Sequence, residues 1–205
     1  MAAAAIVHVM GTGTIGEPLI GLLTSLREPL GIDEVTFYKH SPTLVDRPKV
    51  ASLVRRGAVL CVAPDKVEAF HQVGLCPTCT LQEALARATV VIDCSSEGIG
   101  LQDKARFYAT GVSRARGFIG QGSEFGFGKP YAYAINDGAL LPGVDRFLHV
   151  VSCNTHNIAV LVKTIALGKD EDADNLIEGR FVCLRRASDI SQEGDFVPGP
   201  KASKH

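Results

Sequence analysis

Apolar runs alternating with glycine turns and helical spacings organise this chain. Ala4 to Met10 is apolar without polar alternation, the pattern of a strand buried on both faces. Gly11 to Gly16 reads as a tight turn, and Pro18 to Leu26 as an apolar helix with Pro18 in its first turn, where a missing N–H is harmless. Glu34 to Tyr38 forms a second short strand, followed by a Lys39-His40-Ser41-Pro42 loop whose proline prevents simple strand continuation. Further strands are expected at Ala58 to Ala63, Thr89 to Cys94, Gly117 to Gly120 and Phe147 to Ser152, with helices between them such as Leu81 to Arg87. Asn157 to Leu167 has the spacing of a mostly buried helix, and Phe181 to Leu184 reads as a strand in the tail. Alternating β and α segments imply an α/β fold with a doubly wound, mostly parallel sheet of Rossmann type, and a second unit starting near residue 151.

Composition narrows the partners. The chain has 205 residues, of which 46% are hydrophobic, ample for a buried core. With 21 basic against 22 acidic side chains there is no one-signed field to attract nucleic acid or an anionic membrane, and neither partner is expected. The apolar N-terminus lacks a basic segment and runs directly into the glycine turn, so it reads as a first strand; no segment approaches the roughly 20 uninterrupted apolar residues of a membrane helix. Cys61, Cys76, Cys79, Cys94, Cys153 and Cys183 are scattered, several of them in strand-like runs, which fits reduced thiols and a cytoplasmic location. Cys76-Pro77-Thr78-Cys79 is a C-x-x-C, but no second ligand pair follows, so no metal is expected. It reads as a loop, with a redox pair as the alternative.

Gly11-Thr12-Gly13-Thr14-Ile15-Gly16 matches G-x-G-x-x-G between a strand and a helix, the setting in which the pattern cradles a dinucleotide pyrophosphate. Gly11 permits the turn, Gly13 admits the phosphates, Gly16 lets helix and strand pack, and the helix N-terminus offers unpaired N–H groups. At the end of the second strand, where an acidic residue usually holds the ribose of NAD, the chain carries Lys39. A cation there favours the 2′-phosphate of NADP over NAD, the alternative being a solvated surface lysine.

Val150-Val151-Ser152-Cys153-Asn154-Thr155 sets a cysteine where an apolar strand gives way to a helical pattern. A helix N-terminus favours the thiolate, which is the nucleophilic form; a buried structural cysteine is the competing reading.

These residues together resemble the type II, archaeal-type glyceraldehyde-3-phosphate dehydrogenases. The resemblance runs from Ile6 to about Arg186 and includes the glycine turn, the Lys39 loop ending in Pro42, the stretch from Val91 to Gly100, Gln121-Gly122 and the hexapeptide around Cys153. It implies an oxidoreductase of glycolysis in which Cys153 adds to a phosphorylated aldehyde, hydride passes to NADP or NAD, and phosphate cleaves the thioester. By the same resemblance Ser152 and Asn154 flank the substrate. Thr14, Ile15, Lys39, Gly122 and Arg186 would join Gly11, Gly13 and Gly16 at the cofactor. Family members are longer, which implies a shortened member with a dinucleotide-binding domain at 1–150 and a partial catalytic segment at 151–205. The ending Pro200-Lys201-Ala202-Ser203-Lys204-His205 is similar to the start of the family's substrate segment, with His205 as a substrate contact. The family's histidine base has no counterpart here; His156, three residues after Cys153, could face it across one helical turn, although a packing or solvent-facing role is the plainer expectation. The alternative to an enzyme is a catalytically incomplete NAD(P)-binding or interaction module. Family members are tetramers, so a homo-oligomer, or completion by a second chain, is expected. Related cysteine dehydrogenases acting on aspartate semialdehyde or N-acetyl-glutamyl phosphate are a more distant third reading.

Overall fold

A computed structural model describes residues 4–110, 114–122, 124–169 and 172–183. The strands are β1 (Ile6–Met10), β2 (Glu34–Tyr38), β3 (Val59–Val62), β4 (Cys79–Thr80), β5 (Val90–Asp93), β6 (Gly117–Gly120), β7 (Lys129–Tyr131) and β8 (Phe147–Val150). The helices are α1 (Gly16–Ser25), α2 (Arg47–Arg55), α3 (Val67–Gln72), α4 (Leu81–Arg87), α5 (Ile99–Asp103) and α6 (Cys153–Leu161). All eight strands join one sheet in the order β4-β3-β2-β1-β5-β6-β8-β7, and every pairing is parallel. This is the Rossmann-like α/β arrangement expected from the alternation of elements.

Sheet burial explains the unbroken apolar pattern of β1, whose five residues are all buried. Its side chains alternate between two cores. Val7 and Val9 pack with Val35 and Phe37 of β2, Ile20 of α1, Val50 and Leu53 of α2 and Phe70 of α3. Met10 joins the other core with Leu81 and Leu85 of α4, Val91 of β5, Phe118 of β6 and Phe127. His8 and Thr36 lie buried side by side in the sheet, His8 Nδ1 bonded to Thr36 Oγ1 at 2.6 Å, while among the described residues the buried His8 Nε2 has no hydrogen-bond partner.

Helix starts and ends follow local chemistry. Thr80 caps α4 by accepting from Glu83 N, and the Glu83 carboxylate accepts from Thr80 N at 2.8 Å, a reciprocal capping box. Arg56, at the end of α2, clamps α1 by donating to Gly21 O at 2.6 Å and Ser25 Oγ at 2.7 Å. The α2 segment, not foreseen from the pattern, starts behind Asp46 with Pro48 in its first turn.

Two expectations are corrected. Helix α6 begins at Cys153, four residues before the predicted start at Asn157, because Ser152 caps it: its Oγ accepts from Thr155 N at 3.2 Å. Phe181 to Cys183 form no strand, and all three are exposed, with no strand beside them among the described residues; Leu184 lies outside the described residues.

Residues 1–156 and 157–205 form two compact units. In the second, the described residues comprise the end of α6, a π-helical turn at Val162–Leu167 and a 3₁₀ turn at Ala173–Asn175, with Ile165, Ile177 and Val182 largely exposed. No helix among the described residues is long and apolar enough to cross a membrane.

Candidate functional site

The parallel sheet brings the C-terminal ends of its strands to one edge, and the strand order reverses between β1 and β5, the place where open α/β sheets form a crevice. The loops lining it are the glycine turn after β1, Lys39 to Ser41 after β2 and Ser95-Ser96 after β5. The crevice has two lobes of about 680 and 610 Å³, both touching Gly11, His40, Ser95 and Ser96.

The three glycines of the turn differ in what requires them. Gly11 has φ +86°, and a Cβ there would lie 3.1 Å from Cys94 O. At Gly16 a Cβ would lie 2.9 Å from the carbonyl carbon of Gly11 and closer still to its oxygen. Both are fixed by the chain's own packing. Gly13 is different: a Cβ there would meet nothing within 4 Å, and its φ is not in the left-handed range. Neither neighbouring atoms nor backbone conformation demands a glycine at 13. The open space it leaves fits a ligand that must approach the backbone closely. Behind it α1 starts without a side-chain cap at Ile15, with Glu17 N bonded to Gly13 O at 3.1 Å and Pro18 carrying no N–H. Thr14 is exposed and lines the first lobe, while Ile15 is half exposed outside that lining.

Charge in the first lobe is mixed. Lys39 lines it as the sequence indicated, but its Nζ is bound to Asp46 Oδ2 at 2.7 Å, and its side chain is only 11% exposed. Asp46 also accepts from Thr43 Oγ1 at 2.8 Å, and these two bonds, Lys39 first, hold its carboxyl below the usual range. Glu17 pairs with Lys49 at 3.4 Å, both in the lobe. Asp46 and Lys49 were missed by sequence reasoning; the helix-start signature Asp46-Arg47-Pro48 was the available signal.

Buried carboxylates hold the far wall. Asp93, fully buried at the end of β5, accepts from Tyr108 Oη at 2.7 Å through Oδ2 and from Ser95 N at 2.9 Å through Oδ1. Glu124, also fully buried, accepts from Gly98 N at 2.7 Å and Leu101 N at 3.0 Å, tying the start of α5 to the loop after β6. Burial raises the Glu124 carboxyl and pushes that of Asp103, in the second lobe, up to about 7. Nothing in the glycine- and phenylalanine-rich sequence around Glu124 announces this role.

The line of loops continues toward Cys153. Gln121 Nε2 donates to Ser95 O at 3.0 Å, and Gly122 is packed so tightly on Ser152 that a Cβ would lie 2.7 Å from its Cα. Gly11, Ser95, Gln121-Gly122 and Ser152-Cys153 thus follow β1, β5, β6 and β8 along one sheet edge, spanning three strand spacings or roughly 14 Å. Cys153 is exposed and is the first residue of α6. Asn154 is half-buried beside it. His156 does not engage Cys153; its Nε2 is hydrogen-bonded to Tyr133 O at 3.0 Å. Arg186 and His205 lie outside the described residues. Among the described residues no cluster of three or more His, Cys, Asp or Glu side chains is arranged to hold a metal.

No family model matches the chain. Curated relatives do. The chain is 28% identical over 202 residues to the glyceraldehyde-3-phosphate dehydrogenase of Pyrobaculum neutrophilum, covering 95% of this chain and 54% of that protein. It is 30% identical over 191 residues to that of Methanobacterium bryantii, covering 91% and 51%. It is 32% identical over 137 residues to glyceraldehyde-3-phosphate dehydrogenase 2 of Methanosarcina acetivorans, covering 65% and 36%. The chain spans about half the length of the curated relatives it matches along most of its own. With its all-parallel sheet and its glycine turn at the reversal of strand order, the chain is a relative of the archaeal glyceraldehyde-3-phosphate dehydrogenases over the part of them that it covers.

Proposed function

We propose that residues 1–150 bind NADP or NAD in the crevice at the sheet edge, and that residues 151–205 contribute Cys153 as the nucleophile of a phosphorylating aldehyde dehydrogenase. The observation that carries the reading is Gly13, a glycine the chain's own packing does not require, open to the crevice between two glycines that it does. In this reading the α1 N-terminus and Gly11 to Gly16 hold the pyrophosphate, Lys39 lies at the adenosine ribose and Gly122 lies on the nicotinamide side. A bound nicotinamide supplies the hydride acceptor. Cys153 Sγ adds to the aldehyde carbon of a phosphorylated substrate such as glyceraldehyde 3-phosphate to give a thiohemiacetal; loss of hydride from that carbon and of the hydroxyl proton leaves an acyl thioester, which phosphate cleaves with the Cys153 thiolate as leaving group. Ser152 caps the helix and so fixes where Cys153 stands; Asn154 borders the same position.

One observation favours a second reading, a dinucleotide-binding module without turnover. Among the described residues no base is hydrogen-bonded to Cys153, and His156 is committed to a backbone carbonyl. Loss of general acid–base help would slow the chemistry by roughly 10²- to 10⁴-fold.

NADP-linked oxidation of glyceraldehyde 3-phosphate by the purified chain, with and without phosphate, separates the two. Phosphate-dependent turnover abolished by Cys153→Ser supports the enzyme. Cofactor binding with no turnover supports the module, and equal rates in parent and Cys153→Ser remove Cys153 from the chemistry.

A further inference from the structure

The C-x-x-C motif at Cys76 and Cys79 is not used by the site above, and the fold gives one of its thiols a different neighbour. Strand β4 lies parallel to β3, and Cys79 stands directly opposite Cys61 in the register. Directly opposed residues of adjacent parallel strands project to the same face, with Cα atoms about 4.8 Å apart, inside the roughly 4.4–6.8 Å range of disulfides. In the reduced chain each thiol donates to a backbone carbonyl, Cys61 Sγ to Val59 O at 3.7 Å and Cys79 Sγ to Thr80 O at 3.2 Å. Cys61 is fully buried, Cys79 half-buried and Cys76 exposed.

We propose that Cys61 and Cys79 form a reversible disulfide latch on the sheet edge, formed by a low-molecular-weight disulfide oxidant such as oxidised glutathione. Cys79, the more accessible of the two, attacks the oxidant disulfide as thiolate, forming a protein–glutathione mixed disulfide and releasing one glutathione thiol. Cys61 then attacks the Cys79 sulfur and releases the second. The two protein thiols lose two electrons and two protons, and the oxidant is reduced to two thiols. Burial raises both protein thiols, so the reaction accelerates as pH rises.

The consequence lies in β4, which has two residues and is held by two register pairs, Cys61 with Cys79 and Val62 with Thr80. It is the least supported strand in the sheet, and it leads directly into α4, whose Leu81 and Gln82 line the second lobe of the crevice. A covalent bond at this pair fixes the strand that carries that wall.

The test is oxidation of the folded chain with oxidised glutathione at pH 8.5, alkylation of the remaining thiols, tryptic digestion without reductant and mass spectrometry. Cys61 falls in the peptide Gly57 to Lys66, and Cys76 and Cys79 share the peptide Val67 to Arg87. The proposal expects these two peptides to disappear together into one cross-linked species that reductant dissolves. The cross-link should persist in Cys76→Ser and vanish in Cys79→Ser, a half-buried position whose reduced-state urea midpoint should stay at the parent's. The oxidised parent should also unfold at a higher urea concentration than the reduced parent. A Cys76–Cys79 loop within one peptide, a cross-link from Cys61 to Cys76, or a Cys61–Cys79 cross-link formed only in urea would overturn it.

Discussion

Substitution of Gly13 and of Gly16 by alanine separates structural need from ligand need. At Gly16 the added Cβ would sit 2.9 Å from the Gly11 carbonyl carbon, a backbone atom that cannot swing aside. Relief requires α1 to shift off β1, at about 1–3 kcal/mol or more for overpacking of this kind. At Gly13 the Cβ would meet nothing within 4 Å. Alanine there should leave stability unchanged or raise it by about 0.4–1 kcal/mol, through lower entropy of the unfolded chain. The same methyl group stands in the space through which the pyrophosphate reaches the backbone. Losing one charge-assisted backbone hydrogen bond costs about 1.5–3 kcal/mol, which weakens binding roughly 10- to 150-fold. Urea unfolding and calorimetric titration with NADP, run on the same preparations, read the two quantities. Gly13→Ala should lose affinity without losing stability, whereas Gly16→Ala should lose both. Gly13→Ala that binds NADP like the parent, or that loses affinity only in proportion to stability, refutes the assignment of that space to a phosphate.

Asp46→Asn removes the carboxylate that holds Lys39, and should raise the NADP-to-NAD affinity ratio by roughly 3- to 10-fold, a coupling on the scale of one partly buried ion pair; an unchanged ratio in paired titrations would place Lys39 away from the ribose. Glu124→Ala leaves Gly98 N and Leu101 N without their acceptor, which should cost about 2–5 kcal/mol in urea unfolding; a loss under about 0.5 kcal/mol would mean that the α5 loop is held by other contacts. His8 is buried and neutral, its pKa lowered to about 3 by burial, so the unfolded state binds the extra proton as pH falls below about 6.5 and stability should drop by about 2 kcal/mol at pH 5. Asp103, raised to about 7 by burial, acts in the opposite sense, contributing stability that is full at low pH and lost as pH rises toward 7. Parent stability between pH 5 and 6.5 should therefore be nearly flat, while Asp103→Asn should gain stability with rising pH across that window; a flat profile in Asp103→Asn contradicts the burial of His8 as a neutral group.

The elements with strong apolar signals were legible in the sequence. Glu34–Tyr38, Leu81–Arg87 and Gly117–Gly120 have the bounds the pattern predicts, because each is an apolar run ended by turn or charged residues. The edge strands β4 and β7, of two and three residues, were not legible, since so few residues carry no periodicity and their pairing is decided by the neighbouring strand. Helix α2 was hidden by its charged and proline-containing start, and the onset of α6 by a cap whose partner lies three residues on. For the candidate site, local spacing singled out the glycine turn, Lys39 and the Cys153 segment as expectations. It could not show that Asp46 closes on Lys39, that Glu124 bonds the backbone some 25 residues earlier, or that Cys79 faces Cys61 and not Cys76, because each depends on chain segments brought together only by the sheet.

Direct titration of the purified 205-residue chain with NADP and with NAD, followed by calorimetry, tests the central claim most directly. The account predicts saturable binding at one dinucleotide per chain, competed by ADP-ribose and strongly weakened in Gly13→Ala. The absence of saturable heat for either dinucleotide with folded parent chain, or binding that Gly13→Ala leaves untouched, would contradict it.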